Sequence, residues 1–339
     1  QGIFTSRLLS SHAMGQRASV AQCCQSETEG SIDIRVLDDD HPYPLESDHD
    51  ARSPAQQGSQ PQGYFDRELQ ELARLGKMAD WQPHRFVSGA VYTGEWLGNQ
   101  RHGFGEQRWP DGATYQGEWR RNQAHGRGRF VHSDGDVYVG EWNSNMAHGL
   151  GSFVHCQCVT YAGDWRNDRQ EGYGVETWAE GKRFEGEFRD GEKEGYGIYF
   201  WVDGSQYLGA WEANAISGAG LFFGVDGRSY RGSWQDSMIH GKGECVWANG
   251  RAYAGQYSRD RKDGFGTFLW PDGREYIGYW SQGKQHGVGR LTDANGNELH
   301  GLWRHGAQEA KEDPPLGATL LGGEGGPAQD KVAREAIIV

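Results

Sequence analysis

The sequence predicts an all-β fold: an elongated, single-layer antiparallel meander of 23-residue β-hairpins, with a short N-terminal capping helix and disordered tails. Three observations carry this. The pattern Tyr-x-Gly-x-aromatic starts at Tyr92, Tyr115, Tyr138, Tyr161, Phe184, Tyr207, Tyr230, Tyr253 and Tyr276, with no residue gained or lost between starts. A degenerate tenth copy is Leu299-x-Gly301-x-Trp303. A fixed period of this size signals a repeat architecture. Second, stretches such as HGFGEQRWPDGATYQGEW (residues 102–119) hold too much glycine for a helix and too much aromatic surface for a linker. Third, turn-forming residues return at fixed offsets within every copy.

Residues 1–63 come first. They are acidic and rich in Ser, Pro and Gln from residue 25 onward, with the run Asp38-Asp39-Asp40, and read as disordered. Met14-Gly15-Gln-Arg-Ala-Ser19 matches the N-myristoylation pattern, and Cys23-Cys24 follow as candidate palmitoylation sites. The reading requires translation to start at Met14. One acyl chain anchors marginally and two anchor stably, so Gly15, Cys23 and Cys24 form a candidate membrane anchor. Residues 64–80 contain Phe65, Leu69, Leu72 and Leu75 at three- to four-residue spacing, which predicts a short amphipathic helix. An open sheet end invites pairing with another chain, and this helix is expected to cover the N-terminal edge.

The array is expected over residues 81–306. Phe86-Val-Ser88-Gly89 fits the Trp109-Pro-Asp111-Gly112 position one period earlier, so a half-repeat opens it. Within each copy, alternation places Tyr92, Gly94 and Trp96 on one face of a strand, likewise Tyr115, Gly117 and Trp119, Tyr138, Gly140 and Trp142, and Tyr161, Gly163 and Trp165. The acids after the glycine, Glu95, Glu118 and Glu141, face the other way. Asn99, Asn122, Asn145 and Asp168 supply the hairpin turns. A single layer has no second layer to pack on, so its rings must lie over their own strands, and glycine on the same face leaves the room. Strands about 4.8 Å apart give roughly 9–10 Å per copy and a rod on the order of 90 Å. Residues 307–339 read as a disordered tail, whose last residues, Ile337-Ile-Val339, are apolar.

Tyr-x-Gly-x-Trp followed by His-Gly-x-Gly and Asp-Gly at a 23-residue period resembles the MORN repeat (membrane occupation and recognition nexus). The resemblance covers about two-thirds of the chain and implies an elongated, twisted β-sheet. The family includes junctional membrane proteins, plant phosphatidylinositol phosphate kinases, a SET-domain methyltransferase, ciliary radial-spoke heads and protist cytoskeletal scaffolds, so the repeat fixes fold better than function. The third copy departs from the pattern: Gln157-Cys158 replaces Asp-Gly, which predicts a remodelled turn. The sixth has Ser217-Gly218 for His-Gly, and Gly224 where the first has Trp109.

Composition and motifs narrow the function. The formal charge is −13, and it sits largely outside the repeats: residues 1–80 carry 13 acids against 7 bases, and 307–339 carry 6 against 3. A nucleic-acid groove would need a basic surplus, so no nucleic acid is expected. Five cysteines in a chain of 339 residues fit a reducing compartment. No apolar run reaches the ~18 residues of a membrane span, and no secretory signal is visible. The chain therefore reads as cytoplasmic.

His102, His125, His148, His240 and His286 share one repeat position, about 9–10 Å apart, too far for a shared metal. They read as turn-stabilising residues. His155-Cys156-x-Cys158 lacks an obvious second ligand pair. No phosphate loop, kinase signature or nucleophile elbow is present. The expectation is no enzyme, no cofactor and no metal.

The leading expectation is a non-catalytic scaffold. Protein partners bind along the β-rod, a homodimer through the sheet ends is a further candidate, and the acylated N-terminus holds the chain on a cytoplasmic membrane face. The alternatives are two. One is direct binding of phosphoinositide or phosphatidic acid through Arg120, Arg121, Arg127 and Arg129 in the second copy and Arg259, Arg261 and Lys262 in the eighth. The other is a structural part of a cilium or cortical cytoskeleton.

Overall fold

The computed structural model describes residues 62–310, apart from Asp66 and Gln157. Gly15, Cys23, Cys24 and the C-terminal Ile337–Val339 lie outside the described residues. The chain divides into two compact units, whose described parts are residues 62–202 and 203–310.

The first unit opens with two short helical turns, α1 (Gln62–Phe65) and α2 (Leu69–Leu72), then β1 (His84–Arg85), β2 (Val91–Leu97), β3 (Gln100–Arg108) and onward to β11 (Glu192–Phe200). The second runs from β12 (Gln206–Glu212) to β20 (Glu298–Arg304) and β21 (Ala307–Ala310). Within each unit, consecutive strands pair antiparallel, with seven-residue strands alternating with nine-residue ones. Each unit is a single layer of hairpins. The degenerate tenth copy forms β20 like the others, and the array runs past Gly306 into β21, where the sequence reads as tail.

From the second copy onward the two-residue turns have positive φ at both positions, as in Arg121 (51°) and Asn122 (72°), Ser144 (52°) and Asn145 (69°), and Asn167 (51°) and Asp168 (65°), whereas in the first turn positive φ falls on Gly98 (67°) alone. Positive φ at both positions is the type I′ geometry that matches strand twist. The second turn residue also clasps the preceding copy. Ala124 N donates to Asn145 Oδ1 (2.8 Å), and Ala147 N donates to Asp168 Oδ1 (2.7 Å).

Each return strand bulges just after its start. Gly94 pairs with Gly105 and Trp96 with Arg101, so β3 fits two extra residues into the step. Gly103, at the bulge, has φ +64°, a conformation that costs a side chain about 1–2 kcal/mol.

One face of each unit is its core. A row of glycine pairs, such as Gly94 with Gly105 and Gly105 with Gly117, crosses the strands. Over each pair lies a tyrosine ring, so a Cβ at Gly94 would sit 2.6 Å from Tyr92 Oη. The same hydroxyl donates to Glu95 O (2.9 Å), and Tyr115, Tyr138 and Tyr161 repeat the bond to Glu118, Glu141 and Asp164. In the first copies each tyrosine meets its own tryptophan and that of the next copy edge-on, and Phe188 or Tyr257 takes the tryptophan place in later ones. Tyr92 lies 4.9 Å from Trp96 and 5.5 Å from Trp119; Tyr115 lies 5.0 Å from Trp119 and 5.3 Å from Trp142. Such pairs add about 0.5–1.5 kcal/mol each beyond burial. The ladder replaces a second layer.

The short N-terminal helix is present as two four-residue segments, α1 and α2. Its second segment reaches the opening half-repeat, where Val87 N donates to Glu71 Oε2 (2.7 Å), while its apolar residues pack on the aromatic face rather than along the edge of β2. Phe65 is fully buried on the aromatic face, against Trp109, Tyr115, Trp119, Phe130 and Trp142. The edge of β2 is met instead by the extended chain before it. Met78 N donates to Gly98 O, Trp81 N to Gly94 O, and Trp96 N to Asp80 Oδ1, while β1 pairs with its start. Backbone groups at a sheet edge need backbone-like partners, whereas the apolar residues of 64–72 are better used on the rings.

The turn before each new copy is also uniform. Phe86 N donates to Ala90 O (2.9 Å) as Trp109 N does to Ala113 O (2.9 Å), so the opening half-repeat is present. In the third copy the described residues of this turn keep the usual hydrogen bonds. His155 N donates to Val159 O (2.8 Å) and Cys158 N to His155 O (2.9 Å), with Cys158 held at φ 64° in the glycine place.

Candidate functional site

The fold consumes most of the aromatic face, so the exposed strand side chains lie mainly on the opposite face. The acids after the repeat glycine point there, but they are not simply solvated. Phe104 N donates to Glu95 Oε1 (3.1 Å) and Arg127 N to Glu118 Oε1 (2.9 Å), so each carboxylate caps a peptide N–H exposed by the bulge. In the eighth copy Gln256 does the same for Phe265 N (2.8 Å).

Beside these acids stands a row that sequence reasoning did not single out. Phe104, Arg127, Leu150, Tyr173 and Tyr196 occupy one register position, between the two glycines of each return strand. Alternation turns them outward. Phe104 is 45% exposed, Leu150 64%, Tyr173 58% and Tyr196 68%. Directly opposite lie acids of the next copy: Phe104 faces Glu118, Arg127 faces Glu141, Leu150 faces Asp164 and Tyr173 faces Glu187. The first unit thus carries an outward stripe in which apolar side chains alternate with carboxylates. The signal was available in the sequence as apolar residues inside Gly-x-Gly. In the second unit Phe265 and Tyr279 are exposed on the matching positions, with ring centroids 5.6 Å apart.

The basic residues proposed for lipid divide into groups. Arg120, Arg127 and Arg129 are exposed on the outer face of the second copy, while Arg121 and Arg259 sit at positive φ in hairpin turns. Arg261 is exposed and bonds to Gln282 Oε1. Lys262 is a correction: it is 6% exposed and lies on the aromatic face, with Nζ 4.7 Å from the Phe268 ring centroid, 5.1 Å from Trp280 and 5.3 Å from Trp247. It fills the register position of Ala124 and Ile239, so its charge is held by rings and is withheld from a membrane surface.

Two other copies bury a cation at this position. Lys193 pairs with Glu176 (2.8 Å) beside Trp178 and Phe184. Arg101 donates to Phe65 O (3.1 Å) and Asn122 O (3.0 Å) and stacks 4.4 Å from Trp119. Desolvation raises the stacked tyrosines well above the usual phenol range and pushes the Cys245 thiol up to about 12, which leaves these groups uncharged and structural. No helix among the described residues is long and apolar enough to cross a membrane.

The MORN repeat family model matches residues 92–114, 115–137, 138–156, 161–183, 184–206, 230–250, 253–273 and 276–298, more than half of the chain. The chain belongs to the MORN-repeat family. MORN repeats are non-catalytic scaffolds for protein and lipid interaction, so this array is a scaffold and not an enzyme. The copy starting at Tyr207 escapes the match, yet its hairpin pairs in the same register as the rest, from Gln206 opposite Phe223 to Glu212 opposite Ala215. No curated protein matches the chain. Among solved structures, the TCP10 domain of Danio rerio CPAP is 10% identical, covering 64% of this chain and 97% of its own, at a TM-score of 0.33. The TCP10c domain of Drosophila melanogaster Sas-4 is 13% identical, covering 46% and 93%, at a TM-score of 0.28. Nothing about function follows from either.

Proposed function

We propose that this MORN array is a multi-point docking scaffold for proteins, held at a cytoplasmic membrane face by acylation of Gly15 with Cys23 and Cys24. The observation that carries the docking reading is the outward stripe of the first unit. Leu150, Tyr173 and Tyr196 are each more than half exposed in register, and a row of large exposed apolar side chains favours a docking role. A partner with aliphatic and basic side chains at strand-like spacing would satisfy both components of the stripe. Many modest contacts along it would sum to useful affinity.

The same stripe argues against direct phospholipid binding. In the first unit Phe104, Leu150 and Tyr173 each face a carboxylate, which repels an anionic headgroup, and Lys262 is buried. Arg120, Arg127 and Arg129 remain together on the outer face and are what favours that second reading.

Two measurements test the proposal. The chain started at Met14 is compared with its Gly15→Ala form by membrane fractionation; the parent should sediment with membranes and the variant should not. Proximity labelling of the parent is compared with Tyr173→Asp/Tyr196→Asp, whose folding is checked by its melting curve. Neighbours lost in a folded double variant support docking at the stripe, and an unchanged set of neighbours rejects it. If Gly15→Ala still sediments and both forms bind anionic vesicles, the lipid reading replaces this one.

A further inference from the structure

Three departures from the repeat meet at one place in the first unit. The position of Trp109 is Trp again at 178, 201, 247 and 270, but His132 and His155 in the second and third copies. The position of Ala113 varies among the copies and is an acid only at Asp136, which is 5% exposed. The position after His155 varies among the copies, with Pro110, Ser133, Ala179, Val202, Val225, Ala248 and Pro271, and only the third copy places a cysteine there, Cys156. The backbone of the turn keeps its geometry, with Asp136 accepting the Cys156 N–H. The three departures place an imidazole, a thiol and a buried carboxylate together, with all three donor atoms within 4.8 Å of one another.

We propose that Asp136, His155 and Cys156 form a metal site of the zinc class that staples two adjacent turns of the array. The donors come from consecutive copies, so the site exists only in the folded sheet. Its frame is already fixed: Cys156 N donates to Asp136 Oδ1 at 2.9 Å. His155 Nε2 lies 3.9 Å from the same oxygen, and Cys156 Sγ lies 4.0 Å from His155 Nδ1. Donors bound to one tetrahedral ion at about 2.0–2.3 Å stand roughly 3.5 Å apart. The two histidine contacts use different ring nitrogens; with one nitrogen as ligand the three donor atoms lie within 4.8 Å of one another, so side-chain rotation has to close at most about 1.3 Å. One nitrogen, one sulfur and one oxygen make a borderline donor set, which suits zinc rather than the hard calcium and magnesium ions. Three protein ligands leave a fourth position, on the side where Cys156 is exposed. His132 is turned to Asp134, with Nδ1 2.7 Å from Oδ1, and is not counted among the ligands. Binding expels the thiol proton, so the step is exchange of one proton for one divalent cation, with no redox change.

The test uses the full, tag-free, reduced chain, with cobalt(II) as optical probe and zinc(II) as competitor. One equivalent of cobalt should give a thiolate-to-metal charge-transfer band that zinc abolishes, and zinc should raise the melting temperature. Cys156→Ser should remove the band and the zinc-induced shift, and Asp136→Asn should weaken binding by more than about tenfold. The Cys23→Ser/Cys24→Ser variant should bind as the parent does. Cys156 is exposed, so its serine variant should melt near the metal-free parent, which separates lost binding from lost folding. Absence of a stoichiometric band overturns the proposal. So does a band that survives Cys156→Ser, or one that disappears with Cys158→Ser while Cys156→Ser leaves it intact.

Discussion

Asp168→Asn should make the protein more stable at neutral pH, and by an amount that vanishes on acidification. Asp168 holds the second position of a type I′ turn, at φ 65°, and its Oδ1 accepts the Ala147 N–H at 2.7 Å. Asn145 does the same job one copy earlier through its amide oxygen, at 2.8 Å from Ala124 N. The carboxylate is worse at it. Desolvation outweighs the single backbone hydrogen bond and pushes the Asp168 carboxyl from its ordinary 3.8 up to about 6. A raised acid binds more protons in the folded state than in the unfolded one between those values. Stability therefore falls as pH rises from about 4 to about 6, and the full penalty is present above that window. A shift of about 2 units at 1.36 kcal/mol each gives an upper figure of about 3 kcal/mol. Asparagine keeps the acceptor, tolerates positive φ at least as well, and carries no charge to desolvate. Urea unfolding of both proteins from pH 4 to pH 7.5 should show the variant about 1–3 kcal/mol more stable at pH 7 and close to the parent near pH 4. A variant less stable than the parent at pH 7, or a gap that does not narrow with acid, would refute the reasoning. Asp260, raised by the same cause in the second unit, should respond in the same direction.

Gly140→Ala should be severely destabilising, by about 3 kcal/mol or more, because its Cβ would sit 2.5 Å from Gly151 Cα and 2.7 Å from Leu150 O; chemical denaturation reads it, and a neutral result would mean that the strands can part. Lys193→Ile alone should cost about 3–5 kcal/mol by leaving Glu176 buried without its cation. Adding Glu176→Phe recreates the Phe222 and Ile239 combination of a later copy, and the double variant should recover most of that loss in the same assay. Phe65→Ala should cost about 3–5 kcal/mol and expose residues 62–75 to limited proteolysis, since one ring fixes that segment on the aromatic face.

How far the sequence could be read is clearest in particular residues. The tyrosine, glycine and tryptophan of each copy carry fold and facing together, because a period of two within a period of 23 leaves a single-layer sheet little freedom. The outer stripe was partly visible, as Phe104, Leu150, Tyr173 and Tyr196 between glycines, but exposure on a sheet with one core face cannot be assigned until that face is known. Lys262 was misread for a related reason. It precedes Asp263 in a polar run, and only the register opposite Tyr257 shows that it falls on the buried side. The helix at residues 62–72 was visible by its spacing, whereas its landing place depends on rings from the first three copies.

The sequence by itself determined the repeat, the hairpin and the family, since these rest on local rules: alternation, turn chemistry and the space that glycine leaves beneath a ring. Tertiary structure alone decided which lysine is buried, which edge is closed by backbone, and that Asp136 of one copy reaches His155 and Cys156 of the next. Those outcomes depend on which residues stand side by side across strands, and that neighbourhood is fixed by hydrogen-bond register and bulges rather than by distance along the chain.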